Sequence, residues 1–307
     1  MKRVIVFILV GILLVLGVIA TGTYGLSEEN VKIYKQAVSL EDENNFGFDG
    51  FAITDYPVSF YDGDNDYVII WENGEYSVTK RRAVMDFIVA TAYPVDEHYE
   101  VITPTVEKMS SLLGLLSMDN GSYGADEHVA TLWHEAFHCY QLTNYLENIK
   151  SISLVAVDES IIADNADKNE QAVRLFEQQS GLLKKAVITD DIYKIREYIV
   201  EYKKLDEERK ILLSDEVNSL EDYYTRVEGT ACYIEAYVYK TLLPDSFDSN
   251  YIDNISTYVG GSGKYYKTGM AMCMILDTIN PEWKDSYDFS EPLIDLIYKE
   301  LEIRYGI

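Results

Sequence analysis

Two of the four histidines in this 307-residue chain are separated by three residues, in the segment Trp133-His134-Glu135-Ala136-Phe137-His138. On an α-helix, positions i and i+4 lie on one face, so His134 and His138 can present two imidazole nitrogens to one Zn²⁺. Glu135 follows one step round the helix, where a carboxylate can take a proton from a metal-bound water. The spacing therefore predicts a catalytic zinc site on a helix at residues 125–147.

A catalytic zinc needs a third protein ligand, and no histidine follows His138 in the chain. A predicted helix downstream carries Glu228 and Glu235, seven residues apart and therefore on one face. Between them, residues 229–231 are Gly, Thr and Ala, which are small enough to let another helix approach closely. We predict Glu228 as the third ligand and Glu235 as a residue that supports it from the outer shell. The alternative is an ordinary solvated acidic face.

These residues carry a resemblance to a known family. The segment from Glu228 to Glu235 reads E-G-T-A-C-Y-I-E and resembles the E-G-x-x-x-Y-x-E helix of gluzincin metallopeptidases, the peptidase MA-like group that includes the relatives of aminopeptidase N. In that family the first glutamate is the third zinc ligand. The resemblance implies this role for Glu228 and the role of general base and acid for Glu135.

A third segment, Tyr265-Tyr266-Lys267-Thr268-Gly269, is similar to the family's Y-x-K-G segment, whose tyrosine stabilises the tetrahedral intermediate. Counting back from Gly269 selects Tyr266, whereas counting back from Lys267 selects Tyr265. We take Tyr266 as the catalytic tyrosine, with Tyr265 as the alternative.

The chain also departs from that family. His138 and Glu228 are 90 positions apart (228 − 138), wider than the aminopeptidase spacing, which predicts a helical insertion at about residues 150–215. The G-x-M-E-N segment with which aminopeptidases grip a free amino terminus is missing, so exopeptidase specificity is not supported. The resemblance covers three short motifs and their order rather than the whole chain.

The N-terminus predicts export. Lys2 and Arg3 precede an apolar run at residues 4–20, the order of a secretory signal. The run is also close to the shortest length that spans a bilayer. Residues 1–25 are therefore either a cleaved signal peptide or a single N-terminal membrane anchor, and both readings stay open. Either one predicts an extracellular protein, secreted or anchored to the outer face of the cell membrane.

Composition narrows the classes of partner. Asp and Glu number 52 against 26 Lys and Arg, which gives a formal net charge of −26 at pH 7. The electrostatic field of this negative charge repels phosphate backbones, so nucleic acid is excluded as a partner. Three cysteines without a C-x-x-C pair are too few for a disulfide framework and allow at most one bridge. Their neighbours in the sequence favour helix packing.

Hydrophobic periodicity predicts an α+β fold, with residues 26–307 as one metallopeptidase-like domain. Its strand-rich part is residues 26–120, and residues 121–307 form a mainly helical, zincin-like catalytic part. Strands are predicted at residues 50–53, 58–61, 67–71, 76–79 and 83–92. Asn73-Gly74 predicts a type I′ hairpin, and residues 62–66, Asp-Gly-Asp-Asn-Asp, a solvated turn. Helices are predicted at residues 27–40, 105–116, 125–147, 169–187, 191–213, 219–242, 265–279 and 292–305.

The sequence thus predicts an exported zinc-dependent metallopeptidase that hydrolyses a peptide or protein substrate. Two alternatives stay open: an exported non-catalytic binding or sensor protein on the same scaffold, and a zinc hydrolase of a non-peptide amide or ester. The sequence indicates neither the cleavage preference nor the oligomeric state.

Overall fold

The computed structural model describes residues 26–43, 47–86, 89–115 and 123–306. The predicted signal peptide or anchor at residues 1–25 lies outside these described residues. Among the described helices, none is long and apolar enough to cross a membrane.

The fold is α+β, with a five-stranded mixed sheet in the N-terminal part and a mostly helical C-terminal region. Within the described residues it forms two compact units. The first holds residues 26–43 and 51–139, and the second holds residues 47–50 and 140–306. The boundary between residues 139 and 140 falls inside one helix, so the continuous backbone of that helix belongs to both units.

The first unit contains helices α1, α2 and most of α3 around the sheet. Its helices are α1 (Glu28–Glu43), α2 (Val106–Leu115) and α3 (Ala125–Asn144), and its strands are β1 (Val58–Tyr61), β2 (Asn65–Glu72), β3 (Glu75–Arg82), β4 (Thr91–Val95) and β5 (His98–Pro104). The strand order is β3-β2-β1-β5-β4. Only the β1–β5 pair of this sheet is parallel. All four residues of the central strand β1 are buried, as expected for a strand covered on both faces.

The predicted Asn73-Gly74 hairpin is confirmed. It joins β2 to β3, with Glu72 directly opposite Glu75 in the antiparallel register. Both turn residues have positive φ, 54° at Asn73 and 82° at Gly74, the combination that a type I′ turn requires.

Two of the strand predictions are wrong. Residues 50–53 form no strand and lead instead into a 3₁₀ turn at Ile53–Asp55. Within the described part of residues 83–92, the chain is not extended in the sheet until Thr91, and Val84, Met85 and Val89 are exposed. The sheet uses β4 and β5 instead, because a short apolar run by itself cannot specify a strand.

The acidic turn between β1 and β2 differs in part from its prediction, since Asp62 and Asp66 are buried whereas Asp64 is exposed. The Asp62 carboxylate accepts hydrogen bonds from the backbone N–H groups of Asp64 and Asn65, both at 2.8 Å. Asp66 is equally buried and accepts from Arg81 Nε at 3.2 Å. Local side-chain-to-backbone bonds of this kind hold the turn together, which makes it a structural feature.

His128, near the start of α3, is a buried core residue of the first unit. Its ring stacks on Phe60 with centroids 6.0 Å apart, Tyr123 Oη lies 3.0 Å from Nδ1, and Thr103 Oγ1 lies 3.3 Å from Nε2. Burial lowers the pKa of His128 to about 4, although the charge of Glu107 acts in the opposite direction. The ring is therefore neutral in the folded protein at neutral pH.

The second unit is built from helices α4 to α11 and the C-terminal end of α3. These helices are α4 (Leu146–Ile152), α5 (Glu159–Asp164), α6 (Glu170–Val187), α7 (Ile192–Lys210), α8 (Asp215–Leu242), α9 (Pro244–Phe247), α10 (Gly263–Ile279) and α11 (Leu293–Tyr305). Asn169, Asp191 and Ser214 cap α6, α7 and α8 by accepting backbone N–H groups of the first turns. These caps explain why the sequence located the starts of α6 and α7 to within one residue.

Helices α8 and α10 meet at two glycines. A Cβ atom added to Gly229 would lie 2.5 Å from Gly269 Cα, and one added to Gly269 would lie 2.0 Å from the Thr225 carbonyl oxygen. The two backbones are therefore in direct contact, closer than any side chain between them would permit. Small residues at 229–231 were predicted to let another helix approach closely. That helix is α10, and it makes its close approach at Gly229.

We expect Gly269→Ala to destabilise the protein by about 2–3 kcal/mol, because its methyl group meets fixed backbone atoms and forces the helices apart. Urea unfolding followed by far-UV circular dichroism measures this loss. Gly181→Ala is the matched control: this helical glycine in α6 has no atom within 4 Å of its added Cβ. That substitution should stabilise the protein by about 0.5–1 kcal/mol. Equal effects of the two substitutions would contradict the packing argument.

We also expect acid to destabilise the fold through His128. Its ordinary pKa of 6.5 falls to about 4 on folding, so between these values the unfolded chain binds more protons and stability decreases as pH falls. From pH 7 to pH 5 this group should cost about 2 kcal/mol of unfolding free energy. Urea titrations at both pH values compare the parent with His128→Gln, which should lose about 2 kcal/mol less. Parallel losses in the two proteins would rule out His128 as the source.

Candidate metal centre

The two histidines of the H-E-x-x-H motif lie on α3 in the first unit, and both are buried. Their Nε2 atoms are 3.1 Å apart, and their rings meet nearly edge to face with centroids 4.8 Å apart. Two nitrogens bound to one tetrahedral zinc at about 2.0–2.1 Å each would be separated by about 3.3 Å. The donor atoms of His134 and His138 therefore already have the spacing of a metal-binding pair.

Glu135 occupies the next position on α3 and is half-buried. Its carboxylate projects from a different side of the helix than the two imidazoles, since successive residues are about 100° apart. Partial access to solvent is compatible with the role predicted for it, which requires contact with water.

The aromatic residues that directly precede the two histidines hold α3 in the first unit. The ring of Phe51 packs edge to face on Trp133 and on Phe137, at centroid distances of 5.6 and 5.1 Å. Trp133 Nε1 also donates to the Ala37 carbonyl of α1 at 3.2 Å. These aromatics are core residues, and their packing fixes the rotation of the helix that carries the histidines.

Glu228 lies on α8 in the second unit and is half-buried. The residues beside it are tied to the last turns of α3 by Gln141. Its Nε2 donates to the Val227 carbonyl at 2.9 Å and to Thr230 Oγ1 at 2.8 Å. Gln141 is fully buried, and its contacts fix the position of α8 next to Glu228. The partners of Gln141 could not be predicted from the sequence, because the residues around a helical glutamine do not indicate which carbonyl it will reach.

The two candidate tyrosines at the start of α10 contact different residues. The Tyr266 hydroxyl is hydrogen-bonded to Glu228, and its ring stacks on Tyr224 with centroids 6.3 Å apart. Burial, and then the charge of Glu228, raises the pKa of Tyr266 well above its usual value. This phenol is therefore protonated at neutral pH and is able to donate a hydrogen bond.

Tyr265 faces a different environment. It is completely buried, and its hydroxyl donates to Glu221, which also receives two hydrogen bonds from the Arg209 guanidinium. Tyr265 thus belongs to a buried polar network of α7, α8 and α10, whereas Tyr266 belongs to the surroundings of Glu228.

Glu235 lies two turns after Glu228 on α8, where its Oε1 accepts a hydrogen bond from Tyr251 Oη at 2.8 Å. Burial, and then the charge of Glu235, raises the pKa of Tyr251 far above its usual value. Nothing in the sequence distinguished Tyr251 as this partner, because the chain contains 26 tyrosines.

The loop before α10 is held by residues of the predicted insertion. Asp167 accepts from Gly261 N at 2.6 Å and from Lys264 Nζ at 2.7 Å. Glu159 Oε1 accepts from the backbone N–H of Ser262 at 3.0 Å and from its hydroxyl at 2.7 Å. These bonds fix the first turn of α10, which carries Tyr266, and no sequence pattern predicted them.

The remaining candidate residues lie apart from this chemistry. His98 is on β5 and contacts Glu100, and His128 is in the core of the first unit. All three cysteines are free and buried, and burial raises the pKa of each thiol. A buried thiol of this kind is a packing residue rather than a nucleophile.

In comparisons with known proteins, no family model matches this chain, and neither the curated proteins nor the solved structures include a significant match.

Proposed function

We propose that this chain is an exported zinc-dependent metallopeptidase of zincin-like fold, in which His134, His138 and Glu228 bind Zn²⁺. The observation that carries the proposal is the pair of buried Nε2 atoms 3.1 Å apart on α3. Two imidazoles at this separation can share one metal ion.

The surroundings of Glu228 support its inclusion as the third ligand. Gln141 lies three residues after His138 on α3 and donates to the Val227 carbonyl and to the Thr230 hydroxyl, which lie on either side of Glu228 along α8. Metal-bound carboxylates are themselves hydrogen-bonded, and the Tyr266 hydroxyl provides such a bond to Glu228. Two turns further along α8, Glu235 accepts a hydrogen bond from the Tyr251 hydroxyl.

A bound Zn²⁺ would polarise the scissile carbonyl and lower the pKa of a coordinated water to about 7. In this proposal the Glu135 carboxylate would accept a proton from the water that attacks the carbonyl carbon. Glu135 then donates the proton to the nitrogen of the leaving amine as the peptide bond breaks. Tyr266 donates a hydrogen bond to the carbonyl oxygen as negative charge develops on it. The net reaction adds one water across one peptide bond.

The zinc assignment predicts one Zn²⁺ per chain in the purified protein, measured by inductively coupled plasma mass spectrometry. His138→Ala and Glu228→Gln should each weaken zinc affinity by about 100-fold or more, since each removes a ligand rather than an outer-shell partner. His98→Ala is the matched control, because His98 lies on a strand and should leave the stoichiometry unchanged. Absence of zinc from the parent chain after reconstitution would overturn the assignment.

The catalytic assignment predicts that Glu135→Gln retains zinc but loses hydrolysis of a fluorogenic peptide library by about 10²–10⁴-fold in kcat. Tyr266→Phe should also lower kcat with zinc and stability retained. Tyr265→Phe should mainly lower stability, because it leaves the buried Glu221 with one donor fewer.

Glu147→Gln serves as the control for this assay, since Glu147 is exposed on α4, where it forms an ion pair with Lys150. The zinc-loaded parent could cleave no peptide in the library and yet hydrolyse esters or other amides. That result would keep the zinc assignment and reject the peptidase assignment.

A further inference from the structure

Helix α10 begins at a serine that does not cap it. Ser262 occupies the N-cap position, where a serine hydroxyl usually accepts a backbone N–H group of the first turn, but its side chain forms no such bond. The hydroxyl instead donates to Glu159 Oε1 at 2.7 Å, and the Ser262 backbone N–H donates to the same oxygen at 3.0 Å. Ser262 is 5% exposed, so its hydroxyl is directed at protein groups rather than at solvent. A capping serine turned away from its own helix indicates a different role.

The second partner of this serine is Tyr266. The two residues are four positions apart at the start of α10, which places them on one face of the helix. The Tyr266 phenol is hydrogen-bonded to Ser262 as well as to Glu228. Side-chain hydrogen bonds therefore connect Glu159, Ser262, Tyr266 and Glu228 in that order.

The carboxylates that hold this turn come from the predicted helical insertion. Glu159 begins α5, and Asp167 follows the end of that helix. Both carboxylates lie against the backbone of the loop before α10. A Cβ atom added to Gly261 would lie 2.7 Å from Glu159 Oε1, and one added to Gly260 would lie 3.3 Å from Asp167 Oδ2. Glycine at both positions lets the insertion approach the loop closely and fix Ser262 in place.

The number of hydroxyl protons defines what Ser262 can do. A hydroxyl donates one hydrogen bond and can accept others, so Ser262 donates either to Glu159 or to Tyr266 at any moment. Glu159 keeps its bond from the Ser262 backbone N–H when the hydroxyl turns to Tyr266. A phenol that accepts a hydrogen bond donates its own more strongly, because neighbouring hydrogen bonds polarise one another. Ser262 can therefore direct the Tyr266 phenol and strengthen the bond that this phenol donates.

We propose that Ser262, held by Glu159 of the predicted insertion, is a positioning residue that orients the Tyr266 phenol towards Glu228. The consequence for catalysis rests on the proposed function, in which Tyr266 donates a hydrogen bond to the carbonyl oxygen of the substrate. Ser262 acts through Tyr266, and the insertion thereby contributes to the geometry of the site.

Fluorine NMR tests the orientation without requiring zinc or activity. In the full chain, 3-fluorotyrosine in place of Tyr266 puts one fluorine beside the hydroxyl. Ser262→Ala should shift this resonance, and Ser262→Thr, which keeps a hydroxyl, should return it towards the parental position. Ser290→Ala is the matched control, because its N–H and hydroxyl both donate to Asp288 Oδ1, at 3.0 and 2.6 Å. Loss of that hydroxyl should leave the resonance in place.

A second pair of variants tests the insertion. Glu159→Ala should shift the same resonance, whereas Asp288→Ala, which removes the matching acceptor elsewhere, should not. An unshifted resonance in Ser262→Ala would overturn the inference. An unshifted resonance in Glu159→Ala would overturn the part assigned to the insertion.

The catalytic consequence is tested with the zinc-loaded chain and a peptide substrate. Ser262→Ala should lower kcat about 5–10-fold, the effect of one hydrogen bond, with KM nearly unchanged, because the bond matters most as charge develops on the carbonyl oxygen. In a Tyr266→Phe background the same substitution should cause no further loss. Ser290→Ala should leave kcat unchanged in both backgrounds. Equal losses from Ser262→Ala in the two backgrounds would indicate a purely structural role and overturn the inference.

The two experiments separate this inference from the proposed function. A chain that binds no zinc or cleaves no peptide refutes the proposed function, and the fluorine resonance still decides whether Ser262 orients Tyr266. A shifted resonance together with parental kcat in Ser262→Ala would overturn the catalytic consequence.

Discussion

The direct backbone contact between α8 and α10 is the constraint on which the second unit depends. Because Gly229 and Gly269 meet without side chains between them, the two helices can neither slide nor rotate without a clash. Glu228 precedes one of these glycines, and Tyr266 lies one turn before the other. The hydrogen bond between Tyr266 and Glu228 therefore depends on the packing of these two helices.

A buried ion pair adds the third helix to this arrangement. Arg209 on α7 forms two hydrogen bonds with Glu221 on α8, and both side chains are almost fully buried. Removing two charges from water is costly, so such a pair is weak evidence for stability. Its two-pronged geometry nevertheless specifies one rotation of α7 against α8, which an aliphatic contact would not. Tyr265 adds a donor from α10, so a single carboxylate connects all three helices.

The sequence predicted the helices better than the strands, for physical reasons. A long amphipathic helix repeats its signal over many residues and is bounded by capping side chains such as Asn169 and Asp191. The hairpin at Asn73-Gly74 was equally clear, since few residues accept positive φ at both turn positions. β5 was missed because a short buried strand has no periodicity of its own, and its place in the sheet is determined by the parallel partner β1.

The candidate site shows the same division between local and long-range information. The spacing of His134 and His138 is local, so the sequence could place both imidazoles on one helix face. Tyr265 and Tyr266 are identical in type and adjacent in sequence, and only helix packing distinguishes them. Since successive residues project about 100° apart, α10 directs one hydroxyl to Glu221 and the next to Glu228. One turn of helix thereby contributes both to the buried network around Glu221 and to the surroundings of Glu228, the proposed zinc ligand. A substitution that shifts this turn would affect both, so assigning either role requires the two tyrosines to be varied separately.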